Sequence, residues 1–170
     1  IRSAVISAKL KAENEEIFDQ LLEEYQNVSN PDVKSEILMA ITGAKKSENT
    51  KKILELLDKL EIVRPQDHPY LVSYLLSNYK TKQKTLGWVY QNWQYIQDFV
   101  SGKSLDSYVK ILASRIYTNE ESDQFFEFFD QKINDPSIAR AIIVARGEIN
   151  SRLRLIKDDS KEIQERLENL

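Results

Sequence analysis

Residues 62–96 read IVRPQDHPYLVSYLLSNYKTKQKTLGWVYQNWQYI, the most distinctive stretch of the chain. It holds both tryptophans of the chain, its only histidine and two of its four prolines. Its apolar residues recur at the three- and four-residue spacing of amphipathic helices, and no comparable run alternates as a strand does. The stretch therefore predicts helices, with its rare residues marking where they begin and pack.

The composition of the whole chain also favours long helices joined by short turns. Its 170 residues are 41% apolar and 30% charged, which suits a continuous core beneath an ordinary charged surface. Only 4 glycines and 4 prolines interrupt the chain, too few for many short strands. The absence of cysteine excludes disulfides, thiolate metal sites and cysteine nucleophiles.

Charge and hydropathy argue against two classes of partner. The net charge is −3 and the densest basic run, Lys80–Lys84, is short, so binding of nucleic acid through phosphate neutralisation is not expected. No apolar run approaches the roughly 18 residues that span a bilayer, so no membrane partner is expected.

Start signals mark several of the helices. Asn30-Pro31 and Asp135-Pro136 each place a side-chain acceptor before a proline at the first helical position. Thr118 and Glu121 have the spacing of a capping box. With the apolar stripes, these signals predict about ten helices. The predicted helices cover residues 1–11, 14–27, 31–43, 48–60, 66–77, 82–100, 105–117, 119–133, 136–157 and 159–168.

The helices group in pairs that begin near residues 1, 31, 66, 105 and 136, a spacing of about 30 to 39 residues that is typical of helical-hairpin repeats. We therefore predict an all-α fold in which helical hairpins of the HEAT or armadillo type stack into a superhelix. Residues 1–170 would form a single helical-repeat domain. An irregular helical bundle is the alternative.

The residue types needed for common enzyme chemistry are missing. A zinc peptidase motif needs two histidines four apart on a helix, and His68 is the only histidine. Its place between Asp67 and Pro69 at a helix start predicts a surface or capping role. The four glycines are isolated, so there is no phosphate-binding loop. Carboxylate pairs such as Glu15/Glu16 lie on polar helix faces, so the chain alone is not expected to be a catalyst.

Two motifs in the opening stretch carry a family resemblance. The first is Val63-Arg64-Pro65-Gln66-Asp67, and the second is Leu86-Gly87-Trp88-Val89-Tyr90-Gln91-Asn92-Trp93. They resemble the C-terminal helical domain of M1-family zinc aminopeptidases of the aminopeptidase N type. There, a helix follows Ile/Val-Arg-x-Gln-Asp, and a later helix carries Trp-x-aromatic-aliphatic-x-x-Asn-Trp, with Leu86 replacing its first Trp here. Further similar segments extend the likeness along nearly the whole chain: Arg2–Val5, Glu15–Leu21, Lys34–Ile41, Gln124–Phe126 and Glu148–Leu153.

The resemblance implies that the chain is the distal part of the C-terminal domain of a longer aminopeptidase. A catalytic domain elsewhere in that enzyme would hold a zinc ion and remove N-terminal residues from peptides. The helical domain would need no cofactor, would cap the active-site chamber and would limit which peptides enter. Its partners would be that catalytic domain and the peptide substrate. Frequent Lys, Asn and Ile without cysteine suggests a bacterial cytoplasmic source.

Five residues of the opening stretch are candidates for specific roles. Arg64 is the candidate contact to substrate in the chamber, because its planar fork suits a peptide carboxylate. The alternative is an Arg64–Asp67 interaction that fixes the helix start. Trp88 and Trp93, five apart on one predicted helix and roughly 140° apart around its axis, are predicted to pack between repeats. Asn92 is predicted to bridge backbone groups in the same helix layer.

Two other functions stay open at this point. The chain would fit a free-standing helical-repeat scaffold that binds a protein or peptide, because the repeat spacing alone predicts an extended contact surface. An enzyme that uses His68 with a remote acid is the other alternative. Zinc content, peptidase assays and a His68→Ala variant distinguish these functions from the aminopeptidase domain.

Overall fold

A computed structural model of the protein describes residues 15–59, 62–99 and 105–168. These residues form nine α-helices and two short 3-10 turns and contain no strand, so the all-α prediction is confirmed. The helix predicted over residues 1–11 and the Arg2–Val5 motif lie outside the described residues. The stacking of helix pairs into a superhelix, and the treatment of residues 1–170 as one domain, remain predictions.

The chain divides into two compact units, Ile1–Tyr95 and Ile96–Leu170. The helices of the first unit are α1 (Glu15–Asn27), α2 (Pro31–Thr42), α3 (Ser47–Glu55), α4 (His68–Ser77) and α5 (Lys82–Gln91). A 3-10 turn, Leu56–Asp58, continues α3, and α6 (Trp93–Phe99) begins in the first unit and ends in the second. Helix α2 packs against α1, α3 and α4, while α4 also packs against α5 and the 3-10 turn.

Apolar side chains at helical spacing form the core of the first unit. Burial removes the apolar surface of these side chains from water, which stabilises the folded state. The fully buried members include Phe18, Tyr25, Ile37, Ile41, Ile53, Leu57, Leu71, Val72, Leu75 and Val89.

Both ends of α2 are capped by asparagine side chains. At its start, Asn30 Oδ1 accepts hydrogen bonds from the backbone N–H groups of Asp32 at 2.9 Å and Val33 at 3.3 Å, as predicted. At its end, Asn78 Nδ2 donates to the carbonyl oxygens of Thr42 at 2.9 Å and Ala44 at 2.8 Å. The second cap comes from the loop after α4, so tertiary packing supplies it.

The second unit is built around its last helix. Its helices are α7 (Leu105–Ala113), α8 (Asn119–Phe129) and α9 (Ala139–Glu168), with a 3-10 turn at Asp130–Lys132. Helix α9 packs against α7 and α8. Arg152 of α9 donates through Nη1 to the carbonyl oxygens of Ala113 at 2.7 Å and Ile116 at 3.1 Å, so its charge caps the end of α7. None of the helices described is both long and apolar enough to cross a membrane.

Two helix starts of the second unit differ in detail from the sequence prediction. Thr118 Oγ1 accepts from the N–H of Glu121 at 3.2 Å, as a capping box requires. The Glu121 carboxylate accepts from Tyr117 N–H at 2.9 Å, one residue earlier than the motif specifies. Asp135 accepts from the N–H of Ser137 at 2.9 Å, but α9 begins only at Ala139. The predicted cap at Asp135 is present, and its carbonyl oxygen also accepts from the N–H of Ala139 at 2.8 Å. A turn over residues 136–138 leads into α9, so the helix begins three residues later than predicted.

Two predicted helix boundaries are also wrong. The helix predicted over 82–100 ends at Gln91, because Asn92 leaves helical geometry and its Nδ2 donates to Trp88 O at 2.9 Å. The break predicted between 157 and 159 is absent, since α9 is continuous through this region. Asp158 and Ser160 do not stop a helix as glycine or proline does, and Ser160 Oγ donates to Ile156 O at 2.6 Å within it.

Candidate functional site

The five candidate residues from the stretch 62–96 lie at two places in the first unit. Arg64 and Asp67 belong to the turn that precedes α4, whereas Trp88 lies on α5 and Asn92 ends that helix. Trp93 begins α6 and is 4% exposed. Trp88 and Trp93 therefore do not share a helix, and the predicted angle between them around one axis is wrong. His68 links the two places, since it follows Asp67 directly and its ring packs against Trp88.

Arg64 and Asp67 form a doubly hydrogen-bonded ion pair. Arg64 Nε donates to Asp67 Oδ2 at 2.7 Å, and Nη2 donates to Oδ1 at 3.2 Å. The hydrogen bond to Asp67 raises the pKa of Arg64 further above its ordinary value, so the guanidinium stays charged. The Arg64 side chain is 34% exposed and that of Asp67 18%. The interaction that the sequence offered as the alternative to a substrate contact is thus present.

Arg64 keeps unused donors after this pairing. The pair occupies two of the five N–H donors of a guanidinium. Within the part of the chain that the structure describes, the remaining donors of Arg64 have no acceptor. A partly exposed, permanently charged group with free donors is able to bind a further carboxylate oxygen.

Tyr25 of α1 lies within electrostatic reach of this pair, and no sequence motif points to it. Its side chain is fully buried, and its hydroxyl has no hydrogen-bond partner among the described residues. Burial, and then the negative charge of Asp67, raise the pKa of Tyr25 to about 12, against an opposing effect of Arg64. The only sequence signal is a tyrosine in an apolar stripe, which also fits ordinary core packing.

His68 is buried, so its predicted surface or capping role is wrong. Its ring is fully removed from solvent, and Nε2 lies 3.1 Å from the carbonyl oxygen of Leu57. A carbonyl oxygen only accepts, so Nε2 carries the hydrogen. Burial lowers the pKa of His68, although the Leu57 carbonyl and the Asp58 carboxylate oppose that effect. A neutral imidazole sealed from solvent cannot reach a substrate, which argues against an enzyme that uses His68.

Trp88 connects His68 to the 3-10 turn and to α6. Its ring centroid lies 5.6 Å from that of His68, and it meets Tyr95 edge-on at 6.1 Å. Its Nε1–H donates to Asp58 Oδ1 at 2.9 Å. Trp88 thus has a packing role within the first unit, while Arg64 is the candidate residue that is both charged and accessible.

This arrangement suits ligand binding and side-chain packing better than metal-assisted catalysis. Across residues 15–59, 62–99 and 105–168, no three His, Asp or Glu side chains come together as a metal site. The residues present therefore do not fit a zinc ion. The structure shows one charged pair here, Arg64 with Asp67, and leaves Arg64 partly exposed.

Comparisons with known proteins agree with the resemblance in the sequence. A family model described as the ERAP1-like C-terminal domain matches residues 1–151. The chain is 28% identical to Aminopeptidase N of Lactobacillus helveticus, over 89% of this chain and 18% of that protein. It is 25% identical to Aminopeptidase N of Lactococcus lactis subsp. lactis, over 99% of this chain and 20% of that protein. It is also 29% identical to Aminopeptidase 2 of Candida albicans, over 99% of this chain and 18% of that protein. The chain thus spans about a fifth of the length of these relatives.

Proposed function

Because the chain belongs to the ERAP1-like C-terminal domain family, we propose that it is the non-catalytic helical domain of a longer aminopeptidase. The match of the family model over residues 1–151 carries this proposal. The longer enzyme removes N-terminal residues from peptides and holds its zinc ion in a separate catalytic domain. That domain and the peptide substrate are the partners of this chain, and its location is the bacterial cytoplasm.

In this proposal the chain caps the active-site chamber and limits which peptides enter. Arg64 is the residue of this chain that contacts substrate, through a carboxylate of the peptide. Its free donors and its 34% exposure support that role. The neighbouring Asp67 already offsets part of the Arg64 charge. The contact is therefore expected to contribute about 1 kcal/mol to the binding free energy of the peptide, less than an unpaired arginine would contribute.

The complete gene provides the first test. The proposal expects a His-Glu-x-x-His motif and a downstream glutamate in the sequence that precedes this chain. The purified full-length protein should contain zinc and cleave leucine p-nitroanilide, whereas this chain alone should do neither. Peptidase activity in the isolated chain, or an unrelated preceding sequence, would overturn the proposal.

Arg64 is tested in the full-length enzyme with two variants. Arg64→Ala should raise KM about fivefold for peptides with a free carboxylate, with little change for leucine p-nitroanilide, because about 1 kcal/mol corresponds to that factor. Arg64→Lys keeps the charge but loses the fork, so it should give an intermediate KM. Lys51→Ala, at an exposed site on α3, is the matched control. Equal effects on both substrates would assign Arg64 a purely structural role.

A further inference from the structure

The end of α9 is an exposed helix that carries an apolar stripe. Helix α9 continues unbroken to Glu168, yet every residue from 154 to 168 is exposed to solvent. Large apolar side chains remain exposed along it, with Ile156 at 39%, Ile163 at 58% and Leu167 at 65%. An unsupported helix of about 15 residues is marginally stable in water, so packing of these side chains against another helix would stabilise it.

The stripe has the spacing of a coiled-coil seam. Its members Ile156, Ser160, Ile163 and Leu167, named the α9 seam below, follow one another at intervals of four, three and four residues. These are the intervals between the d and a positions of a heptad. Ser160 is the polar member, and its Oγ donates to Ile156 O at 2.6 Å. Because this hydroxyl is hydrogen-bonded within its own helix, Ser160 fits an apolar interface at little cost.

We propose that the α9 seam pairs with the same seam of a second copy of the chain, with the two helices antiparallel. In this arrangement Ile156 faces Leu167 of the second copy, and Ser160 faces Ile163. Each contact occurs twice, because a symmetric dimer uses the same surface on both subunits. The pairing thus removes the apolar side chains of both seams from water. It does not depend on the proposed function of the chain.

The charges beside the α9 seam make it complementary to itself in the antiparallel orientation. Asp159 and Arg166 both occupy g positions, which face each other in an antiparallel pair. Asp159 of each copy therefore lies opposite Arg166 of the other. Among the described residues Asp159 has no ion-pair partner, and Arg166 Nη2 donates to Glu162 Oε1 at 2.6 Å. The guanidinium of Arg166 keeps further donors for a second carboxylate.

The parallel orientation lacks this complementarity. In a parallel pair, a g residue faces the e residue of the following heptad in the other helix. Arg152 would then face Lys157, which is a pair of like charges, and Asp159 would face the uncharged Gln164. In the antiparallel pair Lys157 faces Gln164 instead, so no like charges meet at these positions. The antiparallel orientation is therefore favoured.

Sedimentation equilibrium of the 170-residue chain tests the pairing directly. The seam spans only about two heptads, so we expect reversible dimerisation with a dissociation constant of about 10 to 100 µM. A chain that stays monomeric at about 0.5 mM would overturn the proposal, and another part of a longer protein would then be the partner of the seam. That result would leave the aminopeptidase function untouched, because the zinc and peptidase assays of the full-length protein test it separately.

Two aspartate substitutions on α9 separate pairing of the seam from unspecific apolar association. Ile163→Asp places a charge in the seam and should raise the dissociation constant at least about tenfold. Leu155→Asp is the matched control, because Leu155 is similarly exposed at 61% but lies at a c position, away from the seam. It adds the same charge to the chain and should change the dissociation constant by less than about twofold. Equal weakening by both variants, or no weakening by Ile163→Asp, would overturn the proposal.

Engineered cysteines test the orientation, since the chain has no cysteine of its own. A mixture of Ile156→Cys chains and Leu167→Cys chains should form mixed disulfide-linked dimers under mild oxidation, because these positions face each other. Ile156→Cys alone should remain unlinked, because the two copies of residue 156 lie about 16 Å apart along the helix axis in the antiparallel pair. Cross-linking of Ile156→Cys with itself, or no cross-linking of the mixture, would overturn the antiparallel pair.

Discussion

The indole N–H of Trp88 donates a hydrogen bond to the carboxylate of Asp58 across 2.9 Å and joins residues that are 30 positions apart. Trp88 belongs to the motif that carries the family resemblance, whereas Asp58 lies in a 3-10 turn that no motif marks. The tryptophan of a family motif thus contributes to the packing of α5 against the preceding turn. This structural role accounts for the presence of Trp88 in the motif, and it requires no contact between Trp88 and a substrate.

Asp58→Ala should lower the free energy of unfolding by about 0.5 to 1 kcal/mol. The bond has a charged acceptor, but Asp58 is exposed, so water replaces part of the lost interaction. Urea titration followed by tryptophan fluorescence measures the change. Asp58→Asn is the control, because its amide oxygen still accepts from the indole and should retain most of the stability. Equal losses in the two variants would contradict this account.

Asn78→Ala should destabilise the chain more than Asn30→Ala, although both remove a cap from α2. Asn78 Nδ2 serves two carbonyl oxygens, those of Thr42 and Ala44, at a partly buried site, and its loss should cost about 2 to 3 kcal/mol. Asn30 bonds exposed N–H groups that water can serve, and its loss should cost about 1 kcal/mol. Urea unfolding of both variants gives the comparison. The reverse order would show that the distant cap is unimportant.

Gly87→Ala should stabilise the chain by up to about 1 kcal/mol. Gly87 lies inside α5, and a Cβ at this position would meet nothing within 4 Å, so the helix gains alanine propensity without a clash. Gly147→Ala in α9 should behave in the same way, for the same reason. Gly43→Ala is the contrast, because its Cβ would lie 3.3 Å from the Ala40 carbonyl oxygen. Thermal unfolding ranks the three variants, and destabilisation by Gly87→Ala would contradict this prediction.

Tyr25→Phe should remove part of the sensitivity of the chain to alkaline pH. The pKa of Tyr25 is raised to about 12 from an ordinary 10.0, so the unfolded state releases this proton first. Ionisation of Tyr25 therefore has no effect on stability below pH 10, and it lowers the free energy of unfolding by about 2 to 3 kcal/mol as the pH rises towards 12. Unfolding in urea at pH 8 and pH 11 measures the difference.

The control for this variant is Tyr70→Phe, since Tyr70 is 58% exposed. Tyr70→Phe should leave the decrease in the free energy of unfolding between pH 8 and pH 11 unchanged. At pH 8, Tyr25→Phe should not reduce stability, because the hydroxyl that it removes has no hydrogen-bond partner among the described residues. A loss above about 1 kcal/mol at pH 8 would indicate a partner for that hydroxyl.

The sequence predicted one part of the candidate site and missed another. Arg64 and Asp67 are three residues apart, so their pairing follows from local spacing at a helix start. Tyr25 approaches the same pair from α1, about forty positions earlier in the chain, and only the packing of the helices brings it there. The role of Arg64 towards substrate remains a proposal.

His68 shows why the rest of the site escaped prediction. A histidine between an aspartate and a proline has the local pattern of an exposed helix start. Its burial depends on Leu57, 11 positions earlier, and on Trp88 in the following helix. A pattern of apolar residues over a few positions does not predict contacts between residues this far apart in the chain.

Local patterns in the sequence predicted the all-α class, the apolar stripes, the start of α2 at Asn30-Pro31 and the family. Each of these depends on residues within a few positions of one another, or on motifs that are read in order. Tertiary structure alone decided the cap of α2 by Asn78, the burial of His68 and the bond from Trp88 to Asp58. The physical reason is that hydrogen-bond partners far apart in the chain meet only after the helices pack.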